Sequence, residues 1–285
     1  MFGKTIAPEN GIYLRQLIQK LLDHRVDVLV YEPFVPYIPE GFSLKCFSNT
    51  EELRNCADLM LSIGGDGTIL DAVPLLRDSG IPVLGINMGR LGFISSVARD
   101  EIGMALDQLL QGRFTTESRT LLELVAPQGV FNDTVNYALN EINIIRNPEH
   151  SLLSIKVFVN DVFLNTYWGD GILMATPTGS TAYSLSAGGP ILTPDSRSFV
   201  ITPIAAHNLT VRPIVIPDDS VVRIHVEGRE KKFVFSMDSR VCALDTSVEL
   251  VVRKADFCIH TVRMEGADFF STIRNKLSWG KDNRN

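Results

Sequence analysis

The spacing of apolar positions changes repeatedly along the first third of the chain, and each change marks an element. Ile12, Leu14, Leu17, Ile18, Leu21 and Leu22 recur at helical spacing, which predicts an amphipathic helix over roughly residues 10 to 25. Asp27 to Tyr31 has the pattern of a strand, and Pro33, Pro36 and Pro39 predict an extended loop after it. A largely apolar run, Ala57 to Ile63, predicts a short buried strand. It stops at Gly64, Gly65, Asp66 and Gly67, and a helical pattern begins at Thr68 with Ile69, Leu70, Val73 and Leu76. Ile81 to Ile86 is a third strand and Arg99 to Leu110 a further helix. Strands alternating with helices predict a parallel sheet, with ligands outside the carboxyl ends of its strands. The glycine turn and the stretch Asn87 to Phe93 both fall at such ends.

Beyond Leu110 the period shortens. Leu121 to Val125, Ala138 to Ile145, Leu152 to Val159 and Val221 to Val226 are β-rich segments separated by turn residues. Phe233 to Met237, Val248 to Val252 and Phe257 to Val262 continue the series. Asp268 to Leu277 returns to a helical pattern. The expected class is α/β plus all-β. A Rossmann-like α/β domain with a parallel sheet covers 1–115, and a β-rich, sandwich-like domain covers 116–265. A C-terminal helix within 266–285 packs back on the first domain. At the other end, Phe2-Gly3-Lys4-Thr5 looks like the loop after an opening strand, with almost no strand before it. Either the fold lacks that strand or the recorded start lies a few residues inside the true chain; the second is the preferred expectation.

Composition narrows the function classes. A chain of 285 residues that is 45% hydrophobic and 21% charged suits a soluble globular enzyme with a sizeable core. The net charge of −6 offers no basic field for nucleic acid or an anionic membrane, so neither is an expected partner. No apolar run approaches membrane-spanning length and no signal peptide is evident. The four cysteines, Cys46, Cys56, Cys242 and Cys258, lack metal-ligand spacing and are expected to be buried free thiols in a reducing cytoplasm.

Two stretches carry candidate chemistry. Gly64, Gly65 and Gly67 surround Asp66 where a strand hands over to a helix. Bare N–H groups and the helix dipole converge there on an anion, with Thr68 following. An aspartate in such a turn is often a helix cap. An acid inside a site built for negative charge points instead to phosphate chemistry, in which a carboxylate handles a hydroxyl proton or a metal ion. The second stretch is Gly169 to Pro190, with a strand at Ile172 to Ala175 and dense hydroxyls at Thr176 to Thr181. Ser180 or Thr181 is a candidate cap for a helix carrying Tyr183 and Ser186 on one face. Small residues leave room for a ligand, hydroxyls hydrogen-bond it, and Tyr183 offers a flat face for a base.

Other candidates are weaker. His207 is expected to be a satisfied structural histidine, and Met88, Met104 and Met174 to be core. The charge run Glu227 to Lys232 is expected to be a solvated hairpin turn.

Gly64-Gly-Asp-Gly-Thr68, Gly89-Arg-Leu-Gly-Phe93, Asn140-Glu141, Asp170-Gly171, Thr176 to Pro190, Arg212-Pro-Ile-Val-Ile-Pro217 and the tail Phe270 to Gly280 together resemble the bacterial NAD kinases. The resemblance runs nearly end to end, and the Thr-Pro-Thr-Gly-Ser-Thr-Ala-Tyr run is its most specific part. It implies transfer of the γ-phosphoryl group of ATP, or of another donor such as inorganic polyphosphate, to the 2′-hydroxyl of the adenosine ribose of NAD, forming NADP. It implies Asp66 as the residue that takes or orients the hydroxyl proton, and Gly64, Gly65, Gly67 and Thr68 as the phosphate-facing turn. Asp66, Gly67, Phe93, Asn140, Glu141, Trp168, Asp170, Ala205 and Arg240 are implied to bind NAD, as are Thr181, Ala182, Tyr183, Ser184, Leu185 and Ser186. Asp170 in such enzymes often acts from a neighbouring subunit. Mg²⁺ or another divalent cation is implied as a cofactor carried by ATP, since no dedicated carboxylate cage is visible. A homodimer or homotetramer in the cytoplasm is implied as well.

The chain departs from the family at three places. Trp168 stands where many NAD-selective members carry a basic residue, and Met237-Asp-Ser-Arg240 where Phe-Asp-Gly-Gln is usual. Ser151 replaces a position that is sometimes histidine and is given no role. Two rival functions are a lipid kinase sharing the glycine-aspartate turn and a dinucleotide-binding regulator without catalysis. The first would want an apolar membrane-facing surface, and the second would not need Asp66.

Overall fold

The computed structural model describes residues 1–89, 92–131, 135–147, 152–208, 210–228 and 231–279. The chain divides into two compact units, Met1–Ser118 with Ile259–Asn285, and Arg119–Cys258.

In the first unit, strands Phe2–Gly3, Met60–Ile63 and Val83–Asn87 lie side by side and parallel, with Phe2 opposite Ser62 and Leu61 opposite Leu84. Val97–Ala98 and the end of the last strand, at Thr261, flank Val83–Asn87 in the same direction. The strands buried on both faces are mainly apolar, as a covered parallel sheet requires, with Ser62 and Asn87 as their buried polar residues. Helix Gly11–Asp23 turns Leu14, Leu17, Ile18 and Leu21 into a core with Leu61, Ile63, Leu84 and Ile86. Helix Ile102–Leu110 adds Ile102, Ala105 and Leu106 to that core. The opening strand is therefore present, only two residues long. Gly3 is needed in it because a Cβ there would press on the Phe34 ring.

The second unit is antiparallel throughout its paired strands. One sheet runs Ile214–Pro217, Ser198–Ile204, Gly171–Ala175, Glu141–Ile145, Lys232–Met237, Arg240–Asp245. Opposite it lie Val162–Gly169, Leu153–Val159, Val222–Glu227 and the first part of Glu249–Met264. Alternate side chains of each sheet, among them Ile142, Ile144, Met174 and Phe235 from one and Ile155, Val157, Ile224 and Leu250 from the other, fill one core.

Several expectations need correction. The proline stretch folds as a 3₁₀ segment, Glu32–Tyr37, because burying Phe34 outweighs extension and Pro33 at the segment's start lacks an N–H that would be unpaired anyway. Strands Val162–Gly169, Ser198–Ile204, Ile214–Pro217 and Arg240–Asp245 were not legible as periodic segments. Val162–Gly169 lies at the end of its sheet with exposed Val162, Phe163 and Trp168, so its alternation is blurred. Glu227 to Lys232 is no hairpin turn: its flanking strands belong to different sheets, and 229–230 lie outside the described residues. Met104 is exposed, and Cys46 and Cys56 are exposed free thiols. The final strand is a single sixteen-residue run, Glu249–Met264, whose second half pairs with Val83. Ile259 to Met264 is accordingly counted with the first unit. The expected C-terminal helix forms as Phe269–Leu277, capped by Asp268 through the Ser271 N–H.

Phe235 is fully buried and stacks on Phe131 at 6.1 Å between centroids. Phe235→Ala is expected to lower unfolding stability by about 3–5 kcal/mol, read from the urea midpoint. Val241→Ala, at an exposed position on the neighbouring strand, should change it by no more than about 0.5 kcal/mol.

Candidate functional site

The first unit offers an acid at a helix N-terminus. Strand Met60–Ile63 ends and Gly64 turns the chain at φ 151, where a Cβ would collide with the Thr68 side chain. Gly65 is the cap residue of helix Asp66–Leu76, so Asp66 is its first residue and its carboxylate is not the cap. That carboxylate instead accepts from the segment after the next strand. Phe93 N–H reaches Oδ2 at 2.7 Å; Ile94 N–H, Ser95 N–H and the Ser95 hydroxyl reach Oδ1 at 3.2, 2.8 and 2.6 Å. Gly92 permits this approach, since a Cβ there would overlap the Asp66 carboxylate. Oδ1 is thus saturated while Oδ2 keeps one acceptor position. Gly67 has nothing near its missing Cβ, leaving the first-turn N–H groups approachable. Phe93 is half-buried beneath Lys276, whose Nζ lies 5.7 Å from the ring centroid. Arg90 and Leu91, between Gly89 and Gly92, lie outside the described residues.

In the second unit one end of the six-stranded sheet gathers Asn140 and Glu141, the segment Thr176 to Ser186, and Asp238. Register enforces this, because Glu141 lies opposite Ala175 and Ile142 opposite Met237. The Thr176 N–H donates to Asn140 O and its hydroxyl to Leu139 O, at 2.9 and 2.5 Å. Gly179 sits so close to Asn140 O that no side chain fits. Ser180 is fully buried, donating to Pro177 O and accepting from Leu192 N–H. It lies with Thr181 in the 3₁₀ turn Gly179–Thr181, and neither caps a helix; the cap of Tyr183–Ser186 is Ala182, with no side-chain bond. Ser184 is buried against Thr202, Leu185 is partly buried, and Tyr183 and Ser186 face solvent.

Asp238 is the residue that sequence reasoning passed over, although it stands inside the Met237–Arg240 departure. Its carboxylate accepts from Leu139 N–H at 2.7 Å, Asn140 N–H at 2.8 Å and Glu141 N–H at 3.2 Å. Its own N–H donates to Glu141 O at 3.0 Å. An aspartate at positive φ in a two-residue turn between strands, here φ 50, was the available signal. Arg240 donates to Val135 O and Tyr137 O and lies over the Phe131 ring. Burial pushes the Asp238 carboxyl above its ordinary value, against the three N–H groups and Arg240 that hold it down. Glu141 is pushed up to about 8, first by burial and then by the neighbouring Asp238 charge. Asn140 Oδ1 and Glu141 Oε2 are buried and have no hydrogen-bond partner among the described residues.

The remaining expected residues are not brought to this end. Asp170, Trp168 and Ala205 sit where strand Gly171–Ala175 begins, Gly171 being opposite Ile204 and Ile145. A strand of that length separates the two ends by roughly 14 Å. There Arg146, a second residue sequence reasoning missed, holds Asp170 through Nε to Oδ1 at 2.6 Å. Gly169 lets the 204–206 backbone pass within contact, and Ala205 takes φ 45. Trp168 and His207 are exposed, and the His207 N–H donates to Trp168 O at 2.7 Å.

Comparison with known proteins decides the family. A family model described as the ATP-NAD kinase N-terminal domain matches residues 3–114, and one described as the ATP-NAD kinase C-terminal domain matches 139–264. The chain belongs to the NAD kinase family. Curated NAD kinases of Flavobacterium johnsoniae and Cytophaga hutchinsonii are 44% and 39% identical to it, each over all of this chain and 99% of their own. The crystal structure of yeast NADH kinase complexed with NADH superimposes with a TM-score of 0.87 at 28% identity, covering 99% of this chain and 87% of that one. An NAD kinase from Archaeoglobus fulgidus in complex with ATP, at 22% identity and TM-score 0.74 over 97% and 96% of the two chains, shares the fold. Membership of the NAD kinase family carries the reaction for which it is named, phosphorylation of NAD.

The raised Glu141 value has a consequence for stability in this NAD kinase family member. Between the ordinary 4.5 and about 8, the folded chain holds a proton that the unfolded chain has released, so stability falls as pH rises through that window. Glu141→Gln cannot ionise. Its melting temperature relative to the parent is expected to climb steadily between those two pH values, each kcal/mol relieved being worth about 2–4 °C. Parallel melting curves across the window would contradict the buried, proton-holding state of Glu141.

Proposed function

We propose that the chain transfers the γ-phosphoryl group of ATP to the 2′-hydroxyl of the adenosine ribose of NAD, forming NADP, with Asp66 as general base. The observation that carries the assignment is the division of labour within one carboxylate. Oδ1 is fixed by three donors, whereas Oδ2 keeps an acceptor position beside an approachable helix N-terminus. A carboxylate so held cannot rotate away, and proton removal from a hydroxyl needs that positional constancy. Gly64, Gly65, Gly67 and Thr68 form the phosphate-facing turn, whose N–H groups and helix dipole favour anionic oxygens.

The second unit supplies dinucleotide recognition through Asn140, Glu141, Thr181, Ala182, Tyr183, Ser184, Leu185 and Ser186, with Tyr183 exposed for stacking on the adenine. We assign Arg240 to holding the 135–137 backbone, given its two carbonyl partners, with NAD contact as the alternative. Among the described residues no three metal-ligating side chains gather, and the donor set fits a divalent cation that enters on the nucleotide. Bound with ATP, such a cation would offset the negative charge of the donor phosphates. Asp170, Trp168 and Ala205 lie at the far end of the strand from Asn140 and Tyr183. One nucleoside therefore cannot use both groups of one copy; the family resemblance is what supports a homodimer or homotetramer in which a second copy contributes Asp170. No helix among the described residues is long and apolar enough to cross a membrane. The resemblance to bacterial NAD kinases is what supports a cytoplasmic location. Absence of catalysis despite tight NAD binding would favour a regulatory role.

A coupled assay for NADP formation, with ATP or polyphosphate as donor and NAD or NADH as acceptor, tests these assignments. Asp66→Asn is expected to lower kcat by about 10²–10⁴-fold. Ser95→Ala, which removes one donor from Oδ1 and leaves the base, should cost far less. Near-normal turnover in Asp66→Asn would refute the base. The NADH arm reports what exposed Trp168 contributes to acceptor choice.

A further inference from the structure

The nucleotide-recognition end of the second unit contains two carboxyl groups whose states must differ. Asp238 accepts three successive N–H groups, from Leu139, Asn140 and Glu141, and lies in sequence beside Arg240. The three N–H groups and Arg240 favour its ionised form, against the burial that pushes its carboxyl up. Glu141 has its backbone tied to the same aspartate at both N–H and O, so its side chain is anchored next to that negative charge. The residue is only 8% exposed, and its Oε2 is buried with no partner among the described residues. A second ionised carboxylate there would be a desolvated charge beside a like charge. A protonated one is instead a hydroxyl donor whose acceptor has yet to arrive.

We propose that Glu141 meets the dinucleotide as an uncharged acid, donating a hydrogen bond from Oε2 to an acceptor oxygen of the nucleotide. Asp238 is the positioning residue that aims it and keeps it uncharged. The proposal rests on the assignment of this end of the sheet to NAD. Its physical advantage is electrostatic. NAD carries two phosphates, and a recognition wall with one ionised acid and one neutral acid repels it less than a wall with two.

The surroundings of Glu141 are consistent with a single dominant neighbour. Strand Gly171–Ala175, paired on one side, has no titratable side chain, and strand Lys232–Met237, on the other, has only Lys232 at its far end. The adjoining turns bring Asp238 and Arg240, and the flanking segments Tyr137 and Tyr183. The upward displacement of Glu141 to about 8 by burial and by Asp238 agrees with this geometry.

The test is calorimetric titration of the full chain with NAD, without phosphoryl donor, at pH values on both sides of about 8. The parent's affinity should be level below that value and fall by about tenfold per pH unit above it, since only the protonated form donates. Glu141→Gln keeps a donor that cannot ionise, and its profile should be flat and within a few-fold of the parent's acid-side affinity. Asp238→Asn should move the break to lower pH; a merely structural aspartate would weaken binding equally at all pH and leave the break in place. Because Asp238→Asn removes an acceptor and can fail to fold, the infrared carbonyl band of a protonated carboxyl, present in the parent and lost in Glu141→Gln, provides an independent reading. Adenosine as ligand tells a ribose acceptor, which keeps the pH break, from a phosphate acceptor, which loses it. Parent affinity that rises with pH, together with Glu141→Gln weakened throughout, would overturn the proposal and make Glu141 an ionised acceptor. Failure of the parent to bind NAD at any pH would instead defeat the functional assignment.

Discussion

A carboxylate that accepts three successive backbone N–H groups occurs in each unit of this chain, and the candidate chemistry depends on both. Asp66 holds Phe93, Ile94 and Ser95; Asp238 holds Leu139, Asn140 and Glu141. Bonds from neutral N–H groups to a charged acceptor are worth roughly 1.5–3 kcal/mol each. Three converging on one side chain fix a loop that no regular ladder would fix. The cost is steric, and glycine meets it. Gly92 lets the loop reach Asp66, and Gly179 lets the hydroxyl-rich turn lie on the Asn140 carbonyl. These glycines serve close approach more than turn flexibility, so even alanine would displace the group they admit.

How much of this was legible in the sequence follows from the range of the interactions. The helices Gly11–Asp23, Asp66–Leu76 and Phe269–Leu277 and the parallel strands Met60–Ile63 and Val83–Asn87 announced themselves because their periodicity is local. So did the two exceptional stretches, since a run of glycine, hydroxyl and aspartate has few structural uses. The family could be named from motifs alone. Invisible were the partners supplied across sequence. Nothing near Asp66 shows that Ser95 will saturate one of its oxygens. Nothing near Arg146 announces Asp170, twenty-four residues on. Asp238 was read only as part of a departure from the family pattern, because its meaning lies in N–H groups about one hundred residues earlier. Edge strand Val162–Gly169 was lost for the opposite reason, its outward face carrying Phe163 and Trp168 where polar residues would have made the alternation plain.

The strand register then sorts the candidate residues in a way composition could not. Gly169-Asp-Gly and Thr-Pro-Thr-Gly-Ser-Thr lie only a few residues apart in sequence, yet a strand of five residues carries them to opposite ends of one sheet. Proximity in sequence here guarantees separation in space. Asn140, Glu141, Thr176 and Asp238, distant in sequence, are brought together because neighbouring antiparallel strands begin and end at the same edge.

Three aspartates in glycine- or turn-rich settings could each be imagined as the base, and their partners separate them. Asp170 is bound to the Arg146 guanidinium, which occupies one of its oxygens. Asp238 lies in a two-residue turn between strands, and its oxygens order the very backbone that carries Asn140 and Glu141. Moving a proton onto it would loosen that backbone at the moment recognition is required. Asp66 alone joins a fixed orientation, an acceptor position left over, and the N-terminus of an eleven-residue helix. Taking a proton at Oδ2 leaves the three bonds at Oδ1 in place, so the loop that aligns the acid survives the chemistry that the acid performs.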